Sequence, residues 1–471
     1  MKRITKNLSS TILISFLFIL IFSSCKDKED TLPLEGDVKI NTWIKAVMDQ
    51  VYFWLDDMRR PIAISSEPEK YFESLLFRPT DRFSAIFPDY QELIDNLQGV
   101  SQEAGYEILL ARESATNNNV VAFITYIKKG SPAEAAGLKR GDRIERINGI
   151  RLTIENFREL LSARSENHSV SPFRYDPATD NFAAIPQADL TTTVISENPT
   201  FLDTLFIVGD QKIGYLVYHF FAPGVQGHPT RYDDQMDQIF ARFKSEGIDH
   251  LILDFRYNSG GFVSSAINLA SLIAPGVSST DVFSRRKFNS FLSSLDDFKD
   301  VKSNFRSKSE NLGSILTNNR IYIITSDRTA SASELIINGL KPYMDVFLVG
   351  DVTVGKNVGS IPLQDEDNPE NDYGILPIVF MDTNRDGQSD FTNGFIPNIG
   401  GQEITQKVLL PFGDTNEYLL KLTIDQIMGT TTPDSRQEFL DRINLGSSIE
   451  QQTRFGLLID DQTKINFRLN N

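Results

Sequence analysis

Residues 320–340 read RIYIITSDRTASASELIINGL, and this stretch decides the fold. Its first six residues predict a strand, the next five a turn, and residues 331–340 a helix. The same order occurs upstream, where the apolar run LILDF at 251–255 precedes a turn and a helix predicted over 262–273. Such a run is typical of a strand covered on both faces. The alternation of strand, turn and helix therefore predicts an α/β domain, which we assign to residues 197–430.

Residues 101–196, ahead of the α/β domain, have the pattern of a small sheet domain. The run VVAFITYI at 120–127 predicts a strand, and Asn148-Gly149 is a strong signal for a tight hairpin turn. Residues 165–185 lack this pattern, and we predict a loop insertion there.

The two ends of the chain differ from each other. Residues 38–100 carry apolar side chains at helical spacing, which predicts a small helical domain, and residues 26–37 before it are interpreted as a linker. Residues 431–471 show no clear periodicity, so they are assigned as a C-terminal tail of unknown role.

Residues 1–25 are typical of a targeting segment. Three of the first six residues are basic, and TILISFLFILIF at 11–22 is apolar but shorter than the ~20 residues of a membrane span. The segment resembles a bacterial lipoprotein signal, with Cys25 as the lipidated first residue of the mature chain. The alternative is an ordinary signal peptide with an incidental cysteine. We therefore expect a lipid-anchored cell-envelope protein at the outer membrane, either periplasmic or surface-exposed.

The composition argues against several functional classes. The net charge is −16 and no basic stripe is present, which disfavours binding to nucleic acid. Cys25 is the only cysteine, so neither a disulfide nor a Cys/His zinc site is possible, and the four histidines lack the HExxH spacing. DTNRDG at 382–387 matches half of a calcium loop, but Asn393 stands where a glutamate is required, so a turn is preferred. We predict no metal and no cofactor.

The turn in the opening stretch contains a candidate nucleophile. Ser331 lies where the strand has ended and the helix begins, and α/β proteins build their sites at this edge of the sheet. The start of a helix also offers free backbone N–H groups and the positive end of the helix dipole, which suit an oxyanion. The alternative is that Ser331 only caps the helix.

Two further turns contain a candidate base and a candidate oxyanion donor. Lys356 lies in a Gly-Lys-Asn loop after the predicted strand FLVG at 347–350. Lysine activates a serine only if burial lowers its pKa from about 10.4 towards neutrality. Gly260 and Gly261 follow LILDF, and glycines allow close backbone approach to a ligand. Taken singly, these signals also fit a surface lysine and an ordinary turn.

Together the motifs resemble those of one family, the C-terminal-processing or tail-specific peptidases, over roughly residues 40–430. TASASE at 329–334 and VGK at 354–356 are the most specific matches. The resemblance implies a catalytic fold similar to that of the Clp protease and crotonase group. It also implies a PDZ domain ahead of the catalytic domain and a small helical domain at the N-terminus.

The resemblance also assigns roles to residues. It implies that Ser331 is the nucleophile and Lys356 the base, at the family's spacing. It implies that the backbone of Ala332 forms the oxyanion hole together with Gly260, although Gly261 stays open as an alternative. No cofactor is implied.

Two positions complicate this assignment. Most family members carry glutamine four residues after the lysine, where it orients the base, but this chain has Ser360. A hydroxyl can also hydrogen-bond an amine, so Ser360 is a possible orienting residue. His219 is the one histidine placed to act as an alternative base, and we expect it to pack in the core instead. Glu334 is interpreted as a structural residue that caps the helix.

GSPAEAAGLKRGDRIERINGI at 130–150 resembles a PDZ domain. Such domains bind an extended peptide along a sheet edge and hold its terminal carboxylate on backbone N–H groups. The corresponding loop here contributes the candidate substrate-binding residues Gly105, Tyr106, Glu107 and Ile108.

The leading hypothesis is a serine endopeptidase that receives polypeptide ends and cleaves them through an acyl-enzyme intermediate. The alternative is a weak or inactive homologue that binds peptides through its PDZ domain, which the replacement by Ser360 favours. In both cases the partners are polypeptides and a membrane lipid anchor, and nucleic acid is excluded.

Overall fold

The computed structural model describes residues 36–114, 116–430, 442–463 and 465. The predicted signal segment, with Cys25, and residues 26–35 of the predicted linker lie outside the described residues. Among the residues described, no helix is both long and apolar enough to cross a membrane.

The N-terminal region is helical, as predicted. Its elements are α1 (Gly36–Val51), α2 (Pro68–Leu75), β1 (Ala85–Phe87) and α3 (Tyr90–Leu97). The buried face of α1 packs into the same core as the helices of the α/β domain, and β1 pairs with residues 374–376 of that domain. This region therefore shares a core and a small sheet with the α/β domain.

The second region is the small sheet domain. Its elements are β2 (Val100–Glu103), β3 (Tyr106–Arg112), β4 (Val120–Ile127), α4 (Pro132–Ala135), β5 (Arg143–Ile147), β6 (Ile150–Arg151), α5 (Phe157–Ser162), β7 (His168–Asp176), β8 (Asn181–Ala184), β9 (Ala188–Leu190) and β10 (Thr193–Ser196). Strands β3, β4, β5, β7 and β8 form one sheet in that order.

The loop insertion predicted over residues 165–185 is wrong. Strand β7 pairs with β5 on one side and forms an antiparallel hairpin with β8 on the other. Pro172 lies inside β7, and proline within a run argues against a strand from sequence. The alternating burial of His168, Val170 and Pro172 shows the period of two that this proline obscured.

The third region is the α/β domain. Its elements are β11 (Thr200–Val208), β12 (Gln211–Tyr218), α6 (Arg231–Glu246), β13 (His250–Asp254), β14 (Gly261–Phe262), α7 (Val263–Ile273), β15 (Val282–Phe288), α8 (Ser290–Ser294), β16 (Lys302–Asn304), β17 (Arg320–Thr325), α9 (Ala332–Leu340), β18 (Asp345–Gly350), β19 (Val358–Ser360), β20 (Leu363–Gln364), β21 (Gly374–Leu376), β22 (Ile378–Asn384), β23 (Ile399–Gly400) and α10 (Tyr418–Met428).

The main sheet of this domain runs β11-β12-β13-β17-β18-β23 and is parallel from β12 onward. Side chains on its two faces enter different cores. Leu253 and Ile323 pack with α6, α7 and α9, whereas Ile252 and Ile324 pack with α10. Coverage on both faces explains the unbroken apolar runs of these strands.

The described part of the C-terminal tail contains strands that the sequence did not predict. Strand β24 (Ile443–Ser447) pairs antiparallel with β3 of the sheet domain. Strand β25 (Leu458–Ile459) lies between β14 and β19 in a second sheet of the α/β domain, which runs β14-β25-β19-β22-β15-β16.

Candidate active site

Ser331 occupies a strained position at the start of α9. Its backbone has φ +63° and ψ −112°, a region that non-glycine residues rarely adopt and that costs about 1–3 kcal/mol. The side chain is completely buried, and its Oγ has no hydrogen-bond partner within the described residues. Strain of this kind in a turn between strand and helix is typical of functional sites.

The Gly260-Gly261 turn lies directly against Ser331. A Cβ added at Gly260 would lie 2.6 Å from the Cβ of Ser331, so only glycine fits there. The N–H of Gly260 donates to Asn258 Oδ1 at 3.0 Å, and the N–H of Gly261 donates to the carbonyl oxygen of Leu457 at 2.6 Å. Both candidate oxyanion donors are thus engaged in this structure. The N–H of Ala332 is at the first residue of α9, where the backbone donors of a helix have no acceptor within the helix.

Lys356 is buried behind the N-terminal region. Its side chain is 1% exposed, and its Nζ lies 4.5 Å from the ring centroid of Phe83. Burial lowers the pKa of Lys356 to about 7, although Asp81 and Glu334 raise it. The Nζ has no hydrogen-bond partner within the described residues, so it is not bonded to the Oγ of Ser331 in this conformation. A neutral amine at this pKa is a competent base.

Glu334 connects the two candidate catalytic residues. Its buried carboxylate accepts hydrogen bonds from the backbone N–H groups of Ser331 and Lys356, both at 2.8 Å and both on Oε2. The other oxygen accepts from the N–H of Gly355 at 2.7 Å and from Thr353 Oγ1 at 2.6 Å. Burial raises the pKa of Glu334, and these four hydrogen bonds oppose the rise. The sequence indicated only a helix cap; the Ser-x-x-Glu spacing was the one signal for this wider role.

Exchanging the Glu334 carboxylate for an amide should therefore disturb the site without unfolding the chain. In Glu334→Gln one oxygen is replaced by an NH₂ group that faces backbone donors, so we expect turnover to fall about 10²-fold, as for small misplacements of reacting groups. The negative charge that raises the pKa of Lys356 is also lost, so the midpoint of the pH–rate profile should move to lower pH. Steady-state rates across pH measure both effects. The exposed Glu246→Gln is the control, and an unchanged midpoint would contradict the positioning role.

Ser360 and His219 lie in different surroundings. Ser360 is on β19, four residues after Lys356, and its buried Oγ has no partner within the described residues. Its orienting role stays a prediction. The ring of His219 packs against Tyr126 at 3.9 Å and Phe201 at 4.8 Å between centroids, and its Nδ1 lies 3.5 Å from Glu197. These contacts agree with the packing role expected for His219.

The sequence resembling half a calcium loop ends strand β22 at Asn384 and then forms a turn at Arg385 and Asp386. Asn384 Oδ1 accepts hydrogen bonds from the N–H groups of Asp386 and Gln388, and Asp382 Oδ1 accepts from Ser284 Oγ at 3.2 Å. Across the described ranges, no group of three His, Cys, Asp or Glu side chains could hold a metal ion.

The candidate peptide-binding residues lie at the start of β3. Gly105 has φ +86°, and a Cβ there would collide with Ser131. Tyr106 Oη lies 2.8 Å from His168 Nε2, and Glu107 pairs with the buried Lys128 at 3.1 Å. The N–H of Ile108 donates to the Oγ of Ser448 at 2.8 Å, so the chain itself contacts this loop.

Comparison with known proteins identifies the three regions. Residues 212–400 match the model of peptidase family S41, residues 39–85 match the peptidase S41 N-terminal domain, and residues 123–171 match a PDZ domain. A carboxyl-terminal-processing protease of Picosynechococcus sp. is 24% identical over 371 residues, which cover 76% of this chain and 81% of the relative. A crystal structure from Bacteroides fragilis NCTC 9343, assigned to the S41 proteases, is 26% identical with a TM-score of 0.69 and covers 83% of this chain and 98% of its own.

Proposed function

Because the chain belongs to peptidase family S41 and is a serine peptidase that hydrolyses peptide bonds, we propose that it cleaves polypeptides with Ser331 as nucleophile and Lys356 as general base. The fold class predicted from the sequence, α/β with a PDZ domain and a small N-terminal domain, is the one observed. The family carries out C-terminal processing, and the roles of individual residues are our proposal.

The proposed reaction uses one acid–base group throughout. Ser331 Oγ attacks the scissile carbonyl carbon while its proton passes to the neutral Nζ of Lys356. The oxyanion is held by the N–H of Ala332 and by that of Gly260 or Gly261. The C–N bond then breaks as Lys356 protonates the leaving amine, which leaves an ester on Ser331. Water attacks the ester, Lys356 accepts its proton, and the acid product leaves as Ser331 regains a proton.

One observation carries this proposal: the Glu334 carboxylate binds the backbone of both residues. The bond from the Ser331 N–H alone is that of a helix cap, but the same buried oxygen also accepts the N–H of Lys356, so one anion holds the backbone of both residues. A lysine of ordinary pKa would be charged, whereas the pKa of Lys356 is lowered to about 7. The lowered pKa of Lys356 supplies the neutral amine that a serine nucleophile requires.

Acid quenching tests the proposal through its covalent intermediate. Residues 26–471 are mixed with unfolded casein, quenched at low pH after milliseconds to seconds, and digested for mass spectrometry. We expect casein fragments to accumulate, together with a fraction of the peptide containing Ser331 that carries an acyl adduct. Ser331→Ala should give neither product, with its folding checked by thermal melting. Casein cleavage that persists in Ser331→Ala would overturn the assignment.

We also propose that the protein is anchored to the cell envelope through a lipid on Cys25. The support is the sequence pattern of residues 1–25, namely basic residues, a short apolar run and one cysteine at its exit. The expressed chain should partition into the detergent phase of a Triton X-114 extract, whereas Cys25→Ser should not. Equal partitioning of both would contradict the lipid anchor.

A further inference from the structure

We call residues 442–460 the C-terminal strap. The first part of the strap occupies the edge of the PDZ sheet. Strand β24 adds to β3 in antiparallel register, with Asn444 opposite Ala111 and Ser447 opposite Leu109. The strap runs towards the loop that contains residues 105–108, which is the polarity of a peptide added to a PDZ sheet edge. A strand edge offers a single row of backbone groups, so this edge cannot hold a second strand while the strap is bound.

Side chains anchor the strap to this edge. Leu445 packs against the hydrophobic core of the PDZ domain. Ser448 accepts a hydrogen bond from the N–H of Ile108 at 2.8 Å, and its Oγ donates to the Glu107 carboxylate. Gln452 Nε2 donates to the same carboxylate at 2.6 Å. Two of the candidate substrate-binding residues therefore already bind the strap.

Further along, the strap enters the α/β domain beside the Gly260-Gly261 turn. Its strand β25 lies between β14, which begins at Gly261, and β19, which ends at Ser360. The carbonyl oxygen of Leu457 accepts the N–H of Gly261 at 2.6 Å, and the N–H of Asp460 donates to the carbonyl oxygen of Ser360 at 2.9 Å. The strap thus binds a candidate oxyanion donor and separates the strand of that donor from β19, the strand that follows the loop of Lys356.

The two contacts belong to one short piece of chain. Eight residues, 449–456, join the PDZ half of the strap, 442–448, to the half beside Gly261, 457–460. This connection is short but folded, since Ile449–Gln451 form a 3-10 turn and residues 453–456 a further turn. Within this connection, Arg454 binds the buried carboxylate of Glu197 at 2.6 Å. The two halves of the strap are therefore linked by one short connection that is itself held to the fold.

We propose that the C-terminal strap is an internal ligand, and that an extended polypeptide must displace residues 442–448 from β3 before it can be cleaved. This inference rests on the proposed function, because it states what competes for the same site. The competing polypeptide would pair along β3 and place an aliphatic side chain where Leu445 packs. Once the strap is displaced, the N–H of Gly261 would be free to bind the oxyanion. The structure is then the self-occupied state, in which Ser331 and Lys356 are not hydrogen-bonded to each other.

A reversible cross-link tests this inference in the full-length chain carrying Cys25→Ser. That chain has no other thiol, so an Arg112→Cys/Ile443→Cys pair can be bonded selectively. These residues are opposite partners in the antiparallel pair, where Cα separations of about 4.5–5.5 Å suit a disulfide. We expect oxidation to lower casein cleavage at least tenfold and reduction to restore it. Equal rates in both states would overturn the inference.

A matched cross-link controls for the disulfide itself. Asp176→Cys/Asn181→Cys joins opposite residues of the β7–β8 hairpin, away from the strap, and its rate should not change on oxidation. A complementary variant, Leu445→Asp, should loosen the strap and raise cleavage several-fold, whereas Ile443→Asp, at the exposed first residue of β24, should not. An unchanged cleavage rate in Leu445→Asp would also contradict the role of the strap as a competing ligand.

Hydrogen exchange separates this inference from the proposed function. In Ser331→Ala, which should bind casein without cleaving it, addition of casein should speed the exchange of amides in residues 443–447. Unchanged exchange would overturn the strap as a competing ligand, even in an active enzyme. Faster exchange in a wild-type chain that cleaves nothing would overturn the peptidase roles and leave the strap assignment standing.

Discussion

Replacing Lys356 by methionine should lower the turnover of unfolded casein by about 10²- to 10⁴-fold, the usual contribution of a general base. Methionine keeps the apolar contact with Phe83 and removes only the amine, so the fold should survive. The residual rate should approach that of Ser331→Ala. Lys341→Met is the matched control, because Lys341 also lies over an aromatic ring, that of Phe395 at 4.0 Å, but is exposed.

The pH dependence of the wild-type enzyme follows from the same residue. Lys356 works as a base only when neutral, and its pKa is about 7, so turnover should rise with pH through about 7 and level off above it. An unperturbed lysine would place this rise near 10.4. Initial rates from pH 5 to 10 measure the midpoint. A rise near pH 10, or a Lys356→Met variant of full activity, would contradict the role of Lys356 as base.

Removal of the Arg256 guanidinium should produce the largest loss of stability. Arg256 is 1% exposed and binds Glu417 through both terminal nitrogens, at 2.6 and 2.9 Å. It also pairs with Asp254 at 2.8 Å and Glu403 at 3.2 Å. In Arg256→Met these buried carboxylates lose their shared partner, and breaking such a cluster costs about 3–5 kcal/mol. Urea unfolding measures the change in free energy.

An exposed ion pair provides the comparison. Arg242 pairs with Asp203 and has a side chain that is 51% exposed, so Arg242→Met should change the free energy of unfolding by less than about 1 kcal/mol. A similar loss of unfolding free energy in both variants would show that the buried cluster contributes no more to stability than an exposed ion pair.

The same buried cluster makes the stability of the fold depend on pH. Burial alone would raise the pKa of Glu403, but Arg140 and Arg256 outweigh it and lower the pKa to about 2. A lowered carboxyl pKa contributes stability that is complete above the unfolded value, about 4.3, and is lost as the pH falls towards 2. Wild-type stability should therefore fall across this window, and the fall should be shallower in Arg256→Met.

Local patterns predicted the central strands of the catalytic domain well, because β12, β13 and β17 are buried along most of their length. RIYIIT at 320–325 is a strand with the bounds predicted, and the helix predicted over 331–340 begins at Ala332. The same turn indicated Ser331 as a candidate nucleophile, with a helix cap as the alternative, and its catalytic role stays a proposal. The chain's family and its peptidase class followed from these motifs, and both are confirmed.

Long-range pairings were beyond the reach of sequence patterns. Ser448 binds Ile108, which lies 340 residues earlier. No local pattern around either residue predicts this contact. Strands β24 and β25 are too short and too polar at their flanks for a clear period of two. The hydrogen bonds between Glu334 and the loop of Lys356 could not be predicted for the same reason. The Ser-x-x-Glu spacing indicates only the local helix cap.

The contact between Phe83 and Lys356 has a consequence for how such enzymes can be divided or recombined. The aromatic ring that shields the amine, together with the acid at Asp81 that tunes it, belongs to the N-terminal region rather than to the domain that contains the nucleophile. A transplanted catalytic domain would leave its amine hydrated and protonated at neutral pH. The peptidase is therefore not a portable module, and any exchange of parts between relatives must carry both regions across together.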